Sequence, residues 1–241
     1  MNYSTWQEFY QGDPQRAWSV LIAPLAFLLY RLLRGRPPGG VLPGAAGFVD
    51  GYAIVFAVET VLDAVVTGPV ERWLGITGGP ATAILIGFVL LGDFRVYLLL
   101  FGLIAVAAGR GWTAGVREAA AWTVVVPLAA WLLNTALHAA VAGANANSIW
   151  LIYETLFASV ALALRARVVP ARVPTAPPAL RAFLDAALLY VAGYYLLWAL
   201  ADVLIQFGGL DAGWLLRVLP NQLYYALWVP LVFFAFFAPR R

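Results

Sequence analysis

Almost the whole chain consists of long apolar runs separated by short polar breaks, and this pattern limits its fold more than any motif does. Of its 241 residues, 63% are hydrophobic and only 11% are charged. A soluble domain needs a charged surface, whereas a helix of about 20 apolar residues crosses the ~30 Å hydrocarbon layer of a bilayer. The sequence therefore predicts an all-α polytopic membrane protein, with 1–241 as a single transmembrane domain.

Seven membrane-spanning helices can be drawn from these runs, which lack the alternating pattern of a transmembrane barrel. The predicted spans are 17–34, 44–68, 81–108, 117–142, 148–166, 180–206 and 214–238. Glu8 and Asp13 precede the first span in place of the positive start of a secretory signal. We therefore expect the first span to be retained as a helix of the protein.

Arginine supplies every basic side chain, because lysine is absent from the chain. Eleven arginines fall on one side of the seven-span drawing and three on the other, with Arg95 inside a span. Since positive charge concentrates in cytoplasmic loops, the asymmetry predicts an exterior N-terminus and a cytoplasmic C-terminus in a prokaryotic plasma membrane. It also accounts for the basic pI of about 9.3, so we expect the lipid bilayer, and not nucleic acid, as a partner.

A weak internal repeat relates the first three predicted spans to the last three. Segment 33–36 recurs as 164–167, segment 48–50 recurs as 183–185, and segment 92–97 aligns loosely with 220–225. The pattern predicts two parallel three-helix units, 1–108 and 148–241, joined by an inverting helix at 117–142. In architecture this arrangement resembles the SWEET sugar carriers and the PnuC vitamin transporters, and the resemblance implies transport.

Ionisable and polar side chains lie inside the predicted spans, mostly between the midplane and the exterior end. Such residues are costly in lipid, so they normally face a protein interior or a wet cavity and indicate a functional site. The residues expected to line one cavity are Glu59, Asp63, Asp93, Arg95, Asn134, His138, Glu154, Tyr195, Trp198, Asp202, Asn221, Gln222 and Tyr225. Near the cytoplasmic end, Asp50, Glu118 and Asp185 are explained by solvation, helix-start electrostatics or arginine partners.

Charge and helical geometry constrain how these side chains pair. Asp93 and Arg95 point in nearly opposite directions from one helix, so we expect Arg95 to reach Glu59 or Glu154 instead. Five carboxylates against this one arginine leave an excess of negative charge in the cavity. Protons, a bound cation or entering water must compensate that charge.

The leading hypothesis is binding and translocation of a small polar or cationic solute through an acid-lined pocket open to the exterior, coupled to protons or cations. Tyr195, Trp198 and Tyr225 offer aromatic faces that could hold an amine, a sugar or a flat ring. Ser148 has no recognisable base as a partner, so nucleophilic catalysis is not expected.

Two alternatives remain open. An intramembrane metal-dependent hydrolase acting on a lipid could use His138, Glu59, Asp63, Asp93 and Glu154 as nitrogen and oxygen ligands for zinc, iron or manganese. A seven-helix ligand sensor could use the same pocket without transport. Neither function involves a covalently bound cofactor, because the chain has no lysine for a Schiff base and no cysteine.

Overall fold

The computed structural model of the protein describes residues 4–145 and 147–238, apart from the side chains of residues 16 and 17. A short helix, α1 (Trp6–Gln11), precedes α2 (Ser19–Arg34), which is extended at its N-terminus by the π-helical segment Pro14–Trp18. The six long helices that follow are α3 (Pro43–Leu74), α4 (Gly79–Ala107), α5 (Trp112–Ala140), α6 (Ser148–Arg172), α7 (Pro178–Gln206) and α8 (Ala212–Phe237).

Helices α3 to α8 are each long and apolar enough to cross a membrane. This finding supports an integral membrane protein in contact with lipid, and it confirms six of the spans that the sequence predicts. Helix α2 is not among these six candidates. The boundaries of α3 and α6 run past the predicted ends at 68 and 166, because both helices continue through the π-helical segments Val66–Val70 and Leu164–Val168.

The second half of α4 runs through the middle of the bundle. Residues 95–105 are buried at every position, whereas a helix at the surface of a bundle buries only one face. The start of α5 packs directly against it, because a Cβ on Gly115 would lie 2.5 Å from the backbone of Phe101. Helix α8 returns to α2, where the rings of Phe27 and Phe233 lie 5.0 Å apart.

The two ends of the bundle differ in composition. We call the end formed by α1 and the loops 75–78, 141–145 and 207–211 the N-terminal end, and the opposite end the arginine-rich end. At the arginine-rich end the ion pairs are Arg31 with Asp50 at 2.5 Å, Arg165 with Asp185 at 2.6 Å, and Arg172 with Glu118 at 2.6 Å. Each of these three carboxylates therefore has an arginine partner, which is one of the three explanations that the sequence left open for them.

Candidate functional site

Two adjoining chambers lie between α4, α6, α7 and α8 toward the N-terminal end. The outer chamber, of about 430 Å³, is lined by Gln7, Tyr10, Gln11, Val20, Asp63, Ala64, Thr67, Leu85, Asn147, Trp150, Asp202, Ile205, Gln206, Trp214, Arg217, Asn221 and Tyr225. The inner chamber, of about 190 Å³, is lined by Tyr10, Leu85, Val89, Trp150, Tyr153, Glu154, Tyr195, Trp198, Arg217, Asn221, Tyr224 and Tyr225. The chambers share six of these residues, so they form one path from the end of the bundle toward its centre.

More than half of the site residues expected from the sequence lie on these walls: Asp63, Glu154, Tyr195, Trp198, Asp202, Asn221 and Tyr225. Asp63 is held in place by Thr67, whose hydroxyl donates to the Asp63 carbonyl at 2.8 Å and to its Oδ1 at 3.2 Å. On α7, Tyr195, Trp198 and Asp202 are three and four residues apart, so they share one face of the helix, and all three line the chambers.

Arg217 is the charged centre of the chambers and was not expected there. Its Nη2 lies 3.1 Å from Glu154 Oε1 and 3.0 Å from Asp202 Oδ1, so one guanidinium serves two carboxylates. The side-chain amide of Gln206 donates to the other Asp202 oxygen at 3.1 Å. The expectation of a single arginine among five carboxylates was wrong. Arg217 is one of the three arginines that the seven-span drawing places on the exterior side, so it was not expected in the cavity.

Asp93 lies behind the wall of the inner chamber and is completely buried on α4. Its carboxylate accepts hydrogen bonds from the hydroxyl of Tyr153 on α6 and from that of Tyr195 on α7, the latter at 2.7 Å. Within the described chain, no basic side chain forms an ion pair with it. Because both tyrosines line the inner chamber, Asp93 fixes the orientation of two of its walls.

Arg95 points away from Asp93, as expected, and reaches Glu59 with Nη1 3.7 Å from Oε2. Its Nη2 donates to the Tyr224 carbonyl at 2.5 Å, and the guanidinium lies 4.3 Å from the centre of the Tyr224 ring. Tyr224 belongs to the π-helical segment Gln222–Leu227. Irregular backbone inside a membrane needs side-chain partners for its carbonyls, and Arg95 supplies one.

Glu59 does not line the chambers, in contrast to the expectation of one shared cavity. It faces a separate apolar groove between α3 and α4, together with Phe56, Leu91 and Phe94. The physical reason is that Glu59 on α3 pairs with Arg95 on α4, and this pairing directs the Glu59 side chain into the groove between the two helices. The Glu59 and Arg95 pair therefore belongs to the packing around α4 and not to the walls of the chambers.

Three further residues expected in the cavity lie elsewhere. Asn134 and His138 share a face of α5, as their spacing predicts, but that face meets the start of α6. Ser148 donates to Asn134 Oδ1 at 2.7 Å and lies 3.4 Å from His138 Nε2, so the expectation that Ser148 lacks a partner was wrong. Gln222 is turned toward α2, where its Nε2 donates to Ser19 Oγ at 2.7 Å.

The five side chains considered for a metal shell are dispersed over separate environments. Within the part of the chain that the structure describes, no three histidine, aspartate or glutamate side chains are placed to hold one ion. His138 contacts Ser148, whereas Asp93 contacts two tyrosines. The geometry thus does not assemble the mixed nitrogen and oxygen shell that a metal-dependent hydrolase would require.

Helix α1 lies over the outer chamber and contributes Gln7, Tyr10 and Gln11 to its wall. Asp211 anchors it by accepting the backbone N–H groups of Trp6 at 2.8 Å and of Gln7 at 3.2 Å. A carboxylate at a helix N-terminus satisfies unpaired donors and interacts favourably with the helix dipole. Burial raises the pKa of Tyr10, against the opposing effect of Arg217.

The start of α1 is also stabilised by Glu8. The backbone N–H and the hydroxyl of Ser4 each donate to Glu8 Oε2 at 2.8 Å, and these bonds lower the pKa of Glu8. A carboxylate with a lowered pKa stabilises the fold above its ordinary pKa, and the effect is lost as the pH falls through the lowered value. The start of α1 is therefore expected to become less stable in acid.

No protein-family model matches the chain, and comparisons with curated proteins and with solved structures likewise give no match. The lining residues set the chemistry of the two chambers. That chemistry combines a polar outer chamber, an aromatic inner chamber, and two carboxylates that share one arginine.

Proposed function

We propose that this protein is a seven-helix membrane protein that binds a small polar or cationic solute in the two chambers and carries it across the bilayer. The observation that carries the proposal is the polar path inside an otherwise apolar bundle, with Glu154, Asp202 and Arg217 at its centre. Ionised side chains are costly within a membrane unless they serve a pathway or a site. The volumes of the chambers suit a small molecule.

Helix α2 is the seventh span in this proposal. The π-helical segment of 5 residues and the α-helix of 16 residues together reach about 31 Å at ~1.5 Å per residue, enough to cross the hydrocarbon layer. Ile22, Leu25, Leu29 and Leu32 are exposed on its outer face, which suits contact with lipid. With seven spans, the distribution of arginine favours an exterior N-terminus, so the chambers would open to the exterior.

Two features support a duplicated three-helix unit. An ion pair links the first two helices of each unit near the arginine-rich end: Arg31 with Asp50 from α2 to α3, and Arg165 with Asp185 from α6 to α7. The repeat segments 92–97 and 220–225 also meet in the bundle. A Cβ on Gly92 would lie 1.8 Å from the Tyr224 hydroxyl, so the Tyr224 side chain of α8 lies directly against α4 at this point.

The route beyond the inner chamber is closed by the buried part of α4, so translocation requires a change in helix packing. Irregular helical segments are suited to such a change, because they are common at functional sites and in transporter helices. Val66–Val70 and Gln222–Leu227 are π-helical, and each adjoins residues that line the outer chamber. In the proposed cycle these segments move α3 and α8 relative to α4.

The test uses a variant that blocks both chambers and a matched control. Leu85 lines both chambers, so Leu85→Trp fills the path, whereas Ile86→Trp places the same side chain at an exposed position one residue along α4. Purified protein is screened by thermal unfolding in detergent against organic ammonium ions, polyols, amino acids and inorganic cations. Binding to the folded state raises the unfolding temperature with solute concentration.

We expect at least one class to stabilise the wild type and Ile86→Trp but not Leu85→Trp. The same solute should then exchange into proteoliposomes containing wild-type protein and not into those containing Leu85→Trp. Stabilisation without exchange would refute translocation and favour a sensor. Stabilisation that is equal in Leu85→Trp and Ile86→Trp would refute the chambers as the binding site.

A further inference from the structure

We infer that the solute is an organic ammonium ion whose charged, alkyl-substituted head binds in the inner chamber. The inference rests on the proposed function, since it assigns a chemical class to the ligand of the same chambers. Three observations carry it: the aromatic walls of the inner chamber, the charge balance around Arg217, and the unpaired oxygen of Glu154.

Aromatic side chains make up seven of the twelve residues that line the inner chamber. Trp198 lies at their centre, with ring centroids 5.6 Å from Tyr195 and 5.3 Å from Tyr224, and Tyr153 and Tyr195 meet edge to face at 6.0 Å. Aromatic faces attract cations through the ring quadrupole, and this attraction increases when the cation is desolvated. Such walls suit an ammonium head covered by alkyl groups better than a strongly hydrated inorganic ion.

The charge balance distinguishes an ammonium ion from a sugar or a neutral ring. Glu154, Asp202 and Arg217 together carry a formal charge of −1 when all three are ionised, because a single guanidinium serves both acids. A monovalent cation makes the group neutral. With a neutral solute, a proton or entering water would have to compensate the buried excess charge instead, and an anion would increase that charge.

The unpaired oxygen of Glu154 shows where the missing positive charge fits. Its Oε1 contacts Arg217, whereas Oε2 is buried and has no hydrogen-bond partner among the described residues. The side chain is only 5% exposed and lines the inner chamber. A buried carboxylate oxygen without a partner is costly. An ammonium head beside Trp198 would stabilise its negative charge electrostatically, and it would also donate a hydrogen bond only where the nitrogen keeps an N–H group.

The outer chamber would hold the remainder of the molecule. It presents polar groups at its walls, among them Gln206, whose Oε1 is buried and has no donor among the described residues. A hydroxyl or amide group on the tail could donate to this oxygen. The ligand class is thus a small alkylated ammonium ion with a short polar tail.

Choline and its uncharged isostere 3,3-dimethylbutan-1-ol provide a matched pair of probes, because they share shape and hydroxyl group and differ in charge. We expect choline to raise the unfolding temperature of the purified full-length protein in a saturable manner, and the isostere to leave it unchanged. Glu154→Gln and Trp198→Leu should each weaken the apparent affinity for choline about tenfold, as expected for a lost charge or cation-π contact of 1–2 kcal/mol.

The control variants change the same residue types away from the chambers. Glu118→Gln removes a carboxylate at the arginine-rich end, and Trp73→Leu removes an exposed indole; both should bind choline like the wild type. Glu154→Gln preserves the contact of Arg217 with Asp202, so its unfolding temperature without probe reports whether it is folded. Tetramethylammonium tests whether the head alone is sufficient, and it should also stabilise the wild type.

The outcomes separate this inference from the proposed function. Equal stabilisation by choline and by its isostere, or stabilisation by a sugar but not by either ammonium ion, would overturn the ammonium assignment and leave the chambers as a solute site. Choline binding that survives in both Glu154→Gln and Trp198→Leu would overturn the assignment of the inner chamber. If no class of solute distinguishes the wild type from Leu85→Trp, the proposed function itself fails.

Discussion

Replacing Arg217 by methionine should be among the most damaging single substitutions in the chambers. In the wild type, one guanidinium nitrogen lies about 3 Å from carboxylate oxygens of both Glu154 and Asp202, whose side chains are 5% and 4% exposed. Methionine retains most of the apolar volume but leaves two buried, mutually repelling carboxylates. Removing one partner of a buried ion pair costs about 3–5 kcal/mol. Because the Arg217 side chain is 16% exposed in a polar chamber, we expect about 3 kcal/mol.

Neutral variants separate this electrostatic cost from lost packing. Glu154→Gln alone retains the contact of Arg217 with Asp202. It loses one hydrogen bond but also removes the excess negative charge of the group, so we expect a loss of at most about 1 kcal/mol. The triple variant Arg217→Met, Glu154→Gln, Asp202→Asn has no uncompensated charge. A buried ionic group that is replaced as a whole by neutral side chains often retains its stability, so the triple variant should recover most of the loss.

The free energies come from reversible unfolding in mixed micelles of a mild detergent and sodium dodecyl sulfate, followed by tryptophan fluorescence and circular dichroism. The expected order of stability places the wild type and Glu154→Gln above the triple variant, and Arg217→Met below all of them. If Arg217→Met is as stable as Glu154→Gln, or if the triple variant is less stable than Arg217→Met, then the two carboxylates do not depend on Arg217 for compensation.

The remaining predictions concern helix packing, the cover of the chambers and the topology. Gly92→Ala should destabilise the bundle by about 1–3 kcal/mol, because its Cβ would overlap the Tyr224 hydroxyl; Gly87→Ala, which meets nothing within 4 Å, should be neutral or slightly stabilising in the same unfolding assay. Asp93→Leu should cost more than Asp93→Asn, because leucine leaves two buried tyrosine hydroxyls without an acceptor at about 1–3 kcal/mol each; equal losses would contradict this. Asp211→Ala should increase hydrogen exchange in α1 about fivefold, since losing a helix cap costs about 1 kcal/mol, and unchanged exchange would show that α1 is held by other contacts. A cytoplasm-dependent reporter fused to the C-terminus should be active and a periplasm-dependent one silent; the opposite result would invert the proposed orientation.

The position of a residue along the bundle was predictable from the sequence, because its distance from the end of an apolar run fixes its distance from the end of the helix. Seven chamber residues were identified in this way, and helical periodicity also separated Asp93 from Arg95 correctly. Rotation of each helix was less accessible, because it depends on which neighbours a face meets. His138 lies near the N-terminal end of the bundle, as its place in the apolar run predicts, yet its face of α5 meets the start of α6 at Ser148.

Helix α1 and the π-helical segments left little trace in the sequence. Six residues are too few for a hydrophobic period, and α1 is anchored by Asp211, about two hundred positions away in the chain. A π-helical segment differs from an α-helix by the register of a few backbone hydrogen bonds. The pattern of apolar and polar side chains in the sequence hardly changes with this register, so it does not predict such a segment. The partners of Tyr224 and its neighbours could be recognised only once the backbone was known.

The acidic residues of the sequence indicated the region of the chambers, but only the position of Arg217 shows how their charges are balanced there. A count of charges along the spans gives a diffuse excess of carboxylates, with no indication of which one remains uncompensated. In the folded bundle that excess is divided among separate environments: Glu59 is paired with Arg95, Asp93 accepts two tyrosine hydroxyls, and Glu154 shares one arginine with a second acid. The candidate for cation binding is therefore Glu154. It shares its arginine with a second acid, its remaining oxygen has no hydrogen-bond partner among the described residues, and its side chain lines the aromatic inner chamber. Whether a buried carboxylate acts as a binding group thus depends on whether its basic partner also contacts a second carboxylate. For Glu154, the packing of α6, α7 and α8 determines this, because it brings Arg217 to both acids.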